Sequence, residues 1–262
     1  MAMTTFADGA IELTLGRIAH LTLNRPHVAN AVNAAMWKAL PEACAAVAAA
    51  REARVLVISG NGRNFCAGAD ISEFEAVYAS DESAERYNEN YRGAEDAIRR
   101  LPIPVIAQVR GACVGGGLGL ALSADFRFAD PSVRIAVTAS RLGIAYSAED
   151  AARIIEKVGP VNAKDMLYSA RTIHADEAQS WGLLDRVVPA WELPAAVEAY
   201  AVVLAARSRA SLSATKTIID SLMAPDPERC AELRPVYSAL FRQPDLVEGR
   251  KAFLEKREPR FE

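Results

Sequence analysis

Two glycine-bearing segments each follow an apolar run of strand length. Gly115-Gly116-Gly117 comes after residues 105–109. Phe65-Cys66-Ala67-Gly68-Ala69-Asp70-Ile71 comes after residues 55–58. Glycine lets a backbone approach a ligand closely and adopt φ > 0. The first turn of a helix offers unpaired N–H groups and the positive end of the dipole, a place for a negatively charged oxygen. Taken alone, the triple glycine reads first as a tight turn with close helix packing. It is not a phosphate loop, because no Gly-Lys-Ser/Thr follows. The spacing Gly115-x-Gly117-x-Gly119 also fails the dinucleotide pattern. The two segments together say more. Turns from two neighbouring strands can aim two N–H groups at one oxygen, which is the geometry of an oxyanion hole.

The elements that must position these turns are legible as patterns. Residues 11–15 and 18–23 are β-rich runs around Gly16-Arg17, a hairpin signal. Asn24-Arg25-Pro26 ends the second run, and Asn33 caps an alanine-rich helix reaching about Ala50. Residues 55–58 and 105–109 are continuous apolar runs, as buried strands are. Residues 70–100 are polar and helical in composition. A helix is expected over 118–122, with short strands at 126–129 and 133–137. From Glu149 the pattern is helical, with an extended interruption at 181–189, and only helices are expected after Trp191. No linker or internal repeat divides the chain. The reading is α/β, with residues 1–190 as a core and 191–262 as a helical C-terminal segment.

Composition bounds the partners. The chain has 262 residues, 51% hydrophobic and 24% charged, which suits a packed globular core. A net charge of −3 gives no bulk attraction to nucleic acid or to anionic membrane, so neither is expected as a partner. No run approaches the roughly 20 apolar residues of a membrane span, and residues 1–10 lack a secretory pattern. The 4 cysteines, Cys44, Cys66, Cys113 and Cys230, form no C-x-x-C pair, which argues for buried reduced thiols, no metal site and a cytoplasmic location.

The ordered motifs resemble the crotonase superfamily, the enoyl-CoA hydratase/isomerase family. Asn64-Phe65-Cys66-Ala67-Gly68-Ala69-Asp70-Ile71 is similar to its F-x-A-G-A-D-[IL] segment. Residues 105–117 are similar to its I-A-x-V-x-G-x-x-x-G-G-G segment. Leu23-Asn24-Arg25-Pro26 resembles the usual start. Residues 212–217 with Lys216, and Phe253-Leu254-Glu255-Lys256-Arg257, resemble the usual tail. The match spans about Ile11 to Phe261. The resemblance implies a spiral of β-β-α units with C-terminal helices that assemble a homotrimer or a dimer of trimers. It implies an acyl-CoA substrate, with coenzyme A entering as part of the thioester and no permanently bound cofactor. The Ala69 and Gly116 N–H groups would hold the thioester oxygen. Ala67, Asp70 and Ile71 would line the coenzyme, Arg25 would meet its phosphates, and Phe253 and Lys256 would come from a neighbouring subunit.

The same resemblance exposes a departure. The family's hydratases use two glutamates as acid and base, and here those positions hold Gly119 and Ala139. Ser147 stands where dienoyl isomerases carry an acid. Tyr146 and Glu149 follow the Leu142-Gly143 turn and are the nearest replacement candidates. Asp150, Asp70 and Glu73 are others, as are Tyr87, Glu89, Tyr91 and Arg92 from the helical stretch above. Acids at a helix start also simply favour the dipole. His20, His27 and His174 sit beside neither glycine segment, and Asp125 is expected to make a structural bond. The reaction therefore stays open among hydration, isomerisation, decarboxylation and hydrolysis. A catalytically silent acyl-CoA-binding protein is the alternative. A nucleic-acid-binding relative is disfavoured, because the helix at 33–50 offers only Lys38, with Arg51 just beyond it.

Overall fold

The computed structural model describes residues 3–223 and 244–257, together with 231, 235, 238, 242 and 259. Its strands are β1 (Met3–Phe6), β2 (Ile11–Thr14), β3 (Ile18–Leu23), β4 (Val55–Gly60), β5 (Val105–Val109), β6 (Ala112–Val114), β7 (Phe126–Ala129), β8 (Arg134–Ala136), β9 (Ile173–His174) and β10 (Arg186–Val187). Its helices are α1 (Ala34–Ala49), α2 (Phe74–Val77), α3 (Asp81–Arg99), α4 (Gly116–Leu122), α5 (Ala148–Ser169), α6 (Ala175–Ser180), α7 (Leu193–Ala205), α8 (Arg209–Met223) and α9 (Pro244–Leu254). The main sheet runs β1-β2-β3-β4-β5-β7-β10, and a second sheet runs β6-β8-β9. The β1-β2-β3 edge is antiparallel, and from β3 to β10 every pairing is parallel.

Burial explains why β4 and β5 read as unbroken apolar runs. Val55 and Val57 of β4 and Ile106 of β5 pack against Leu193, Val197 and Ala201 of α7. On the other face, Leu56 and Ile58 join Met36, Leu40 and Ile98 in the main core. A strand covered on both faces has no reason to alternate. Helix α1 begins where its cap predicts, with the Asn33 side chain accepting from the Met36 N–H at 2.9 Å. At the far end, Lys216 of α8 donates to Asp125, which also accepts from the Val105 N–H. Asp125 thus makes the structural bond expected of it.

Several elements depart from the sequence reading. The helix after the triple glycine starts at Gly116 rather than at Leu118, so two of the three glycines lie in its first turn. Propensity hid this start, because glycine is a poor helix former. Strands β1, β6 and β9 were not expected. Each is 2–4 residues long, too short for its pattern to register. The expected 133–137 strand narrows to β8, and the 181–189 interruption contains β10. Helix α5 is broken at Gly159 (φ 72°, ψ 168°), ahead of Pro160. Of the apolar tail residues that the sequence suggests for an assembly interface, Leu222, Met223, Leu240, Phe241 and Phe253, Leu240 and Phe241 lie outside the described residues, as do Cys230 and the side chains of Leu222 and Met223.

Close backbone packing brings the two glycine turns together. The loop after β4 runs parallel to β6: Phe65 N–H donates to Arg110 O, Cys66 N–H to Ala112 O, and Val114 N–H to Cys66 O. A methyl group at Gly68 (φ +100°) would sit 2.7 Å from the Val114 carbonyl oxygen. Both the dihedral and the contact forbid a side chain there. Gly68→Ala should therefore destabilise the protein by about 1–3 kcal/mol. Gly93→Ala, on an open face of α3, should instead stabilise by about 0.5–1 kcal/mol. Urea titration of both variants measures the difference.

Candidate active site

The two turns open onto one cleft of about 830 Å³, a volume that includes the open solvent at its mouth. Ala67, Gly68 and Ala69 form one wall, with Gly115 and Gly116 beside them. Around Ala69 the backbone donors are committed. Ala67 N–H donates to Ala29 O, Gly68 N–H to the Cys66 sulfur at 3.4 Å, and Asp70 N–H to Val32 O. On the second turn, Gly115 N–H donates to Ala136 O. Among the described residues, the N–H groups of Ala69 and Gly116 find no acceptor. Two unpaired donors at one apolar cleft are costly unless a ligand or water meets them.

Aromatic rings make the opposite wall. Phe74, Tyr78, Tyr87, Tyr91 and Tyr146 line the cleft. Trp37 of α1 stands behind, edge-on to Tyr91 at 4.8 Å, and donates its indole N–H to the Tyr87 hydroxyl at 3.0 Å. A methyl group at Gly116 would lie 3.1 Å from both Trp37 and Tyr91, so the glycine is what lets the rings close over the turn. Tyr146 donates to the Gly115 carbonyl at 2.8 Å and ties the loop before α5 to the same turn.

One carboxylate faces this cleft. Asp150, in the first turn of α5, is 1% exposed, yet it lines the cleft. It accepts from Tyr91 Oη at 2.7 Å, Ser147 Oγ at 2.6 Å and Arg153 Nη1 at 2.9 Å, the arrangement of an ionised carboxylate. Arg153 also pairs with Glu95 of α3, and its second arm meets Asp96 at 3.7 Å. Burial, then the Asp150 charge, push the Tyr91 phenol well above its ordinary value, so it stays protonated. Burial and Asp150 likewise push the Glu95 carboxyl well above 4.5, against the pull of Arg153. Burial raises the Cys66 thiol to about 12, so Cys66 stands beside the glycine turns as a thiol and not as a thiolate nucleophile.

The structure sorts the sequence candidates. Ala67, Ala69, Ile71, Gly116 and Tyr146 line the cleft, as do Tyr87, Tyr91 and Arg92. Glu149 does not. It shares the first turn of α5 with Asp150, and the helix turns Asp150 rather than Glu149 toward the cleft. Ala139 lines the cleft without a carboxyl. Arg25 and Asp70 stand outside the lining, joined to each other at 2.9 Å, and Arg25 also donates to Ala31 O. Despite burial, the hydrogen bonds from Ser72 and Arg25 hold the Asp70 carboxyl below its usual range. Glu73 caps α1 through the Ala34 N–H. Phe253, at the end of α9, and Lys256 just beyond it lie away from the cleft, with Phe253 exposed. His20, His27 and His174 do not line it either.

Sequence reasoning missed Trp37, Glu95 and Arg153. Glu95 carried a signal: it falls on the stripe Tyr87, Tyr91, Ala94, Ile98 that α3 turns inward, and an acid on an inward stripe needs a partner.

With this geometry in view, the comparisons are decisive. The sequence pattern described as Enoyl-CoA hydratase/isomerase matches residues 14–262. The chain belongs to the enoyl-CoA hydratase/isomerase family. It is 37% identical over 246 residues to a Rhodobacter capsulatus protein described as "Probable enoyl-CoA hydratase", covering 93% of this chain and 94% of that one. It is 32% identical over 247 residues to the "Crotonyl-CoA hydratase" of Syntrophomonas wolfei, with 94% of each covered. A solved structure, an enoyl-CoA hydratase/carnithine racemase from Magnetospirillum magneticum, superposes with a TM-score of 0.81 at 37% identity, over 99% of this chain and 97% of that one. The chain is thus a crotonase-fold enzyme of this family.

The ion cluster gives a direct stability test. Arg153 is the cation shared by Glu95 and Asp150, and its side chain is 11% exposed. Arg153→Met leaves the buried Asp150 carboxylate without its cation and should cost about 3–5 kcal/mol near neutral pH. Melting curves of the variant and the parent near neutral pH measure the loss.

Proposed function

We propose that this protein moves a proton on the acyl chain of a coenzyme A thioester, passing through an enolate, as an isomerisation. The observation that carries the reading is one cleft holding two unpaired backbone N–H groups, at Ala69 and Gly116, and one carboxylate reached through a phenol. The N–H pair takes the thioester oxygen as it becomes negative. The Asp150 carboxylate accepts the Tyr91 proton while the Tyr91 oxygen receives one from the substrate carbon. The reverse transfer returns a proton to the γ-carbon, two positions further along the dienolate, and the double bond moves into conjugation with the thioester. One carboxylate suffices for this exchange. Hydration by the family's two-glutamate route needs a pair to hold water, and Gly119 and Ala139 supply neither member.

Conversion of vinylacetyl-CoA to crotonyl-CoA is the assay. Tyr91→Phe and Asp150→Asn should each lower its rate about 10²–10⁴-fold while thioester binding, read by calorimetry, persists. Gly116→Pro, provided its melting behaviour is unchanged, should cost about 10²–10³-fold, because it removes one oxyanion donor. Hydration of crotonyl-CoA should be weak in the parent. Thioester binding without turnover of any acyl-CoA would favour the silent binding protein instead.

Assembly belongs to the same reading. The helical end of the chain exposes Val202, Ile218, Ile219, Val247 and Phe253. A homotrimer or dimer of trimers that covers these helices is expected by light scattering, and a monomer near 28.2 kDa overturns it.

A further inference from the structure

Glycine at 119 leaves a space that other residues fill. A methyl group there would lie 2.0 Å from Glu95 Oε1 and 3.0 Å from the Tyr91 hydroxyl. So the room that a side chain at 119 would take already holds the Glu95 carboxyl and the Tyr91 hydroxyl, both brought from α3. Glu95 is buried to 1% exposure. Its Oε2 meets Arg153, its Oε1 finds no donor among the described residues, and its carboxyl lies within hydrogen-bonding reach of Asp150, a bond that requires a proton on one of the two. The two carboxyls of the cluster are therefore unequal. Asp150 accepts from three donors, and Glu95 from one. Arg153 supplies one positive charge. A single ionised carboxyl balances it, and a second would remain buried without compensation.

We propose that Glu95 works in this cleft as a neutral carboxylic acid, a positioning residue that fills the space beside Gly119 and Tyr91 and whose ionisation switches the proton transfer off. Gly119 lies one turn of α4, about 5 Å along the axis, from Gly116. A buried carboxylate beside Gly119 opposes the negative charge gathering on the thioester oxygen. It also competes with Asp150 for Arg153. The groups facing Glu95 are Asp150 and Arg153 of α5, Tyr91 and Asp96 of its own helix, and Tyr146 from the loop ahead of α5. Only Arg153 among them favours its charged form. Burial and the Asp150 charge hold the proton on Glu95, in keeping with this assignment.

The proposal rests on the proton-transfer reading of the cleft, so its test has one arm that does not use turnover. Infrared difference spectra of the parent against Glu95→Gln, near neutral pH, should show a protonated-carboxyl band that the variant lacks. In the second arm, vinylacetyl-CoA isomerisation is followed against pH in the parent, Glu95→Gln and Glu95→Asp. The parent rate should fall on the alkaline side. The Glu95→Gln to parent rate ratio should rise by roughly tenfold per pH unit once Glu95 ionises. Glu95→Asp keeps a titratable acid and should keep an alkaline limb. A missing infrared band overturns the neutral acid whatever the activity. A band present with an alkaline limb that survives unchanged in Glu95→Gln overturns the switch. If the band is present and no thioester is turned over, the isomerase reading fails while the assignment of the proton stands.

Discussion

Everything in the cleft depends on a short parallel backbone pairing between the loop after β4 and β6. The bonds from Cys66 N–H to Ala112 O and from Val114 N–H to Cys66 O lock two chain segments that leave adjacent strands of the main sheet. Because hydrogen-bonded strands lie about 4.8 Å apart, the turns that follow cannot diverge far. The spacing of the Ala69 and Gly116 donors is thus set by the sheet, not by flexible loops. Even the sulfur of Cys66 takes part, because it accepts from the Gly68 N–H and so helps fix the turn that presents the Ala69 donor.

A second layer adjusts the chemistry on this frame. Helix α3 lies across the turns and brings two hydroxyls, Tyr87 and Tyr91, and one acid, Glu95. Helix α5 answers with Asp150 and Arg153. Trp37 pins the phenols through an edge contact and a hydrogen bond, so the cleft wall is stiff as well as apolar. The polar members are nearly all buried, where charge balance counts for more than it does at a surface. Such a network holds a definite protonation pattern only if its members stay in register.

The sequence displayed the frame better than the chemistry. The β4 and β5 runs, the Asn33 cap and the paired glycine segments follow local rules, and each is found where the residues point. The start of α4 was hidden because glycine disfavours a helix that tertiary packing imposes, and β6 because three residues between glycines make no pattern. The acid/base side was harder. Glu149 and Asp150 are neighbours in sequence, and only the rotation of α5 decides which faces the cleft. Tyr91 and Asp150 are 59 positions apart, so their hydrogen bond leaves no local trace. That positions 119 and 139 hold glycine and alanine is plain from the sequence, whereas the filling of the space at 119 from α3 appears only in three dimensions.

The crowding at Gly119 has an evolutionary consequence. A glutamate at 119 and the present pair of Glu95 and Tyr91 compete for one volume, so the two arrangements exclude each other. Position 119 is epistatic to positions 91 and 95, since a carboxyl reintroduced at 119 alone meets an occupied space before it can meet a substrate. In this chain a carboxyl at 119 is therefore not reached in one step, because a smaller residue at 95 or 91 has to come first.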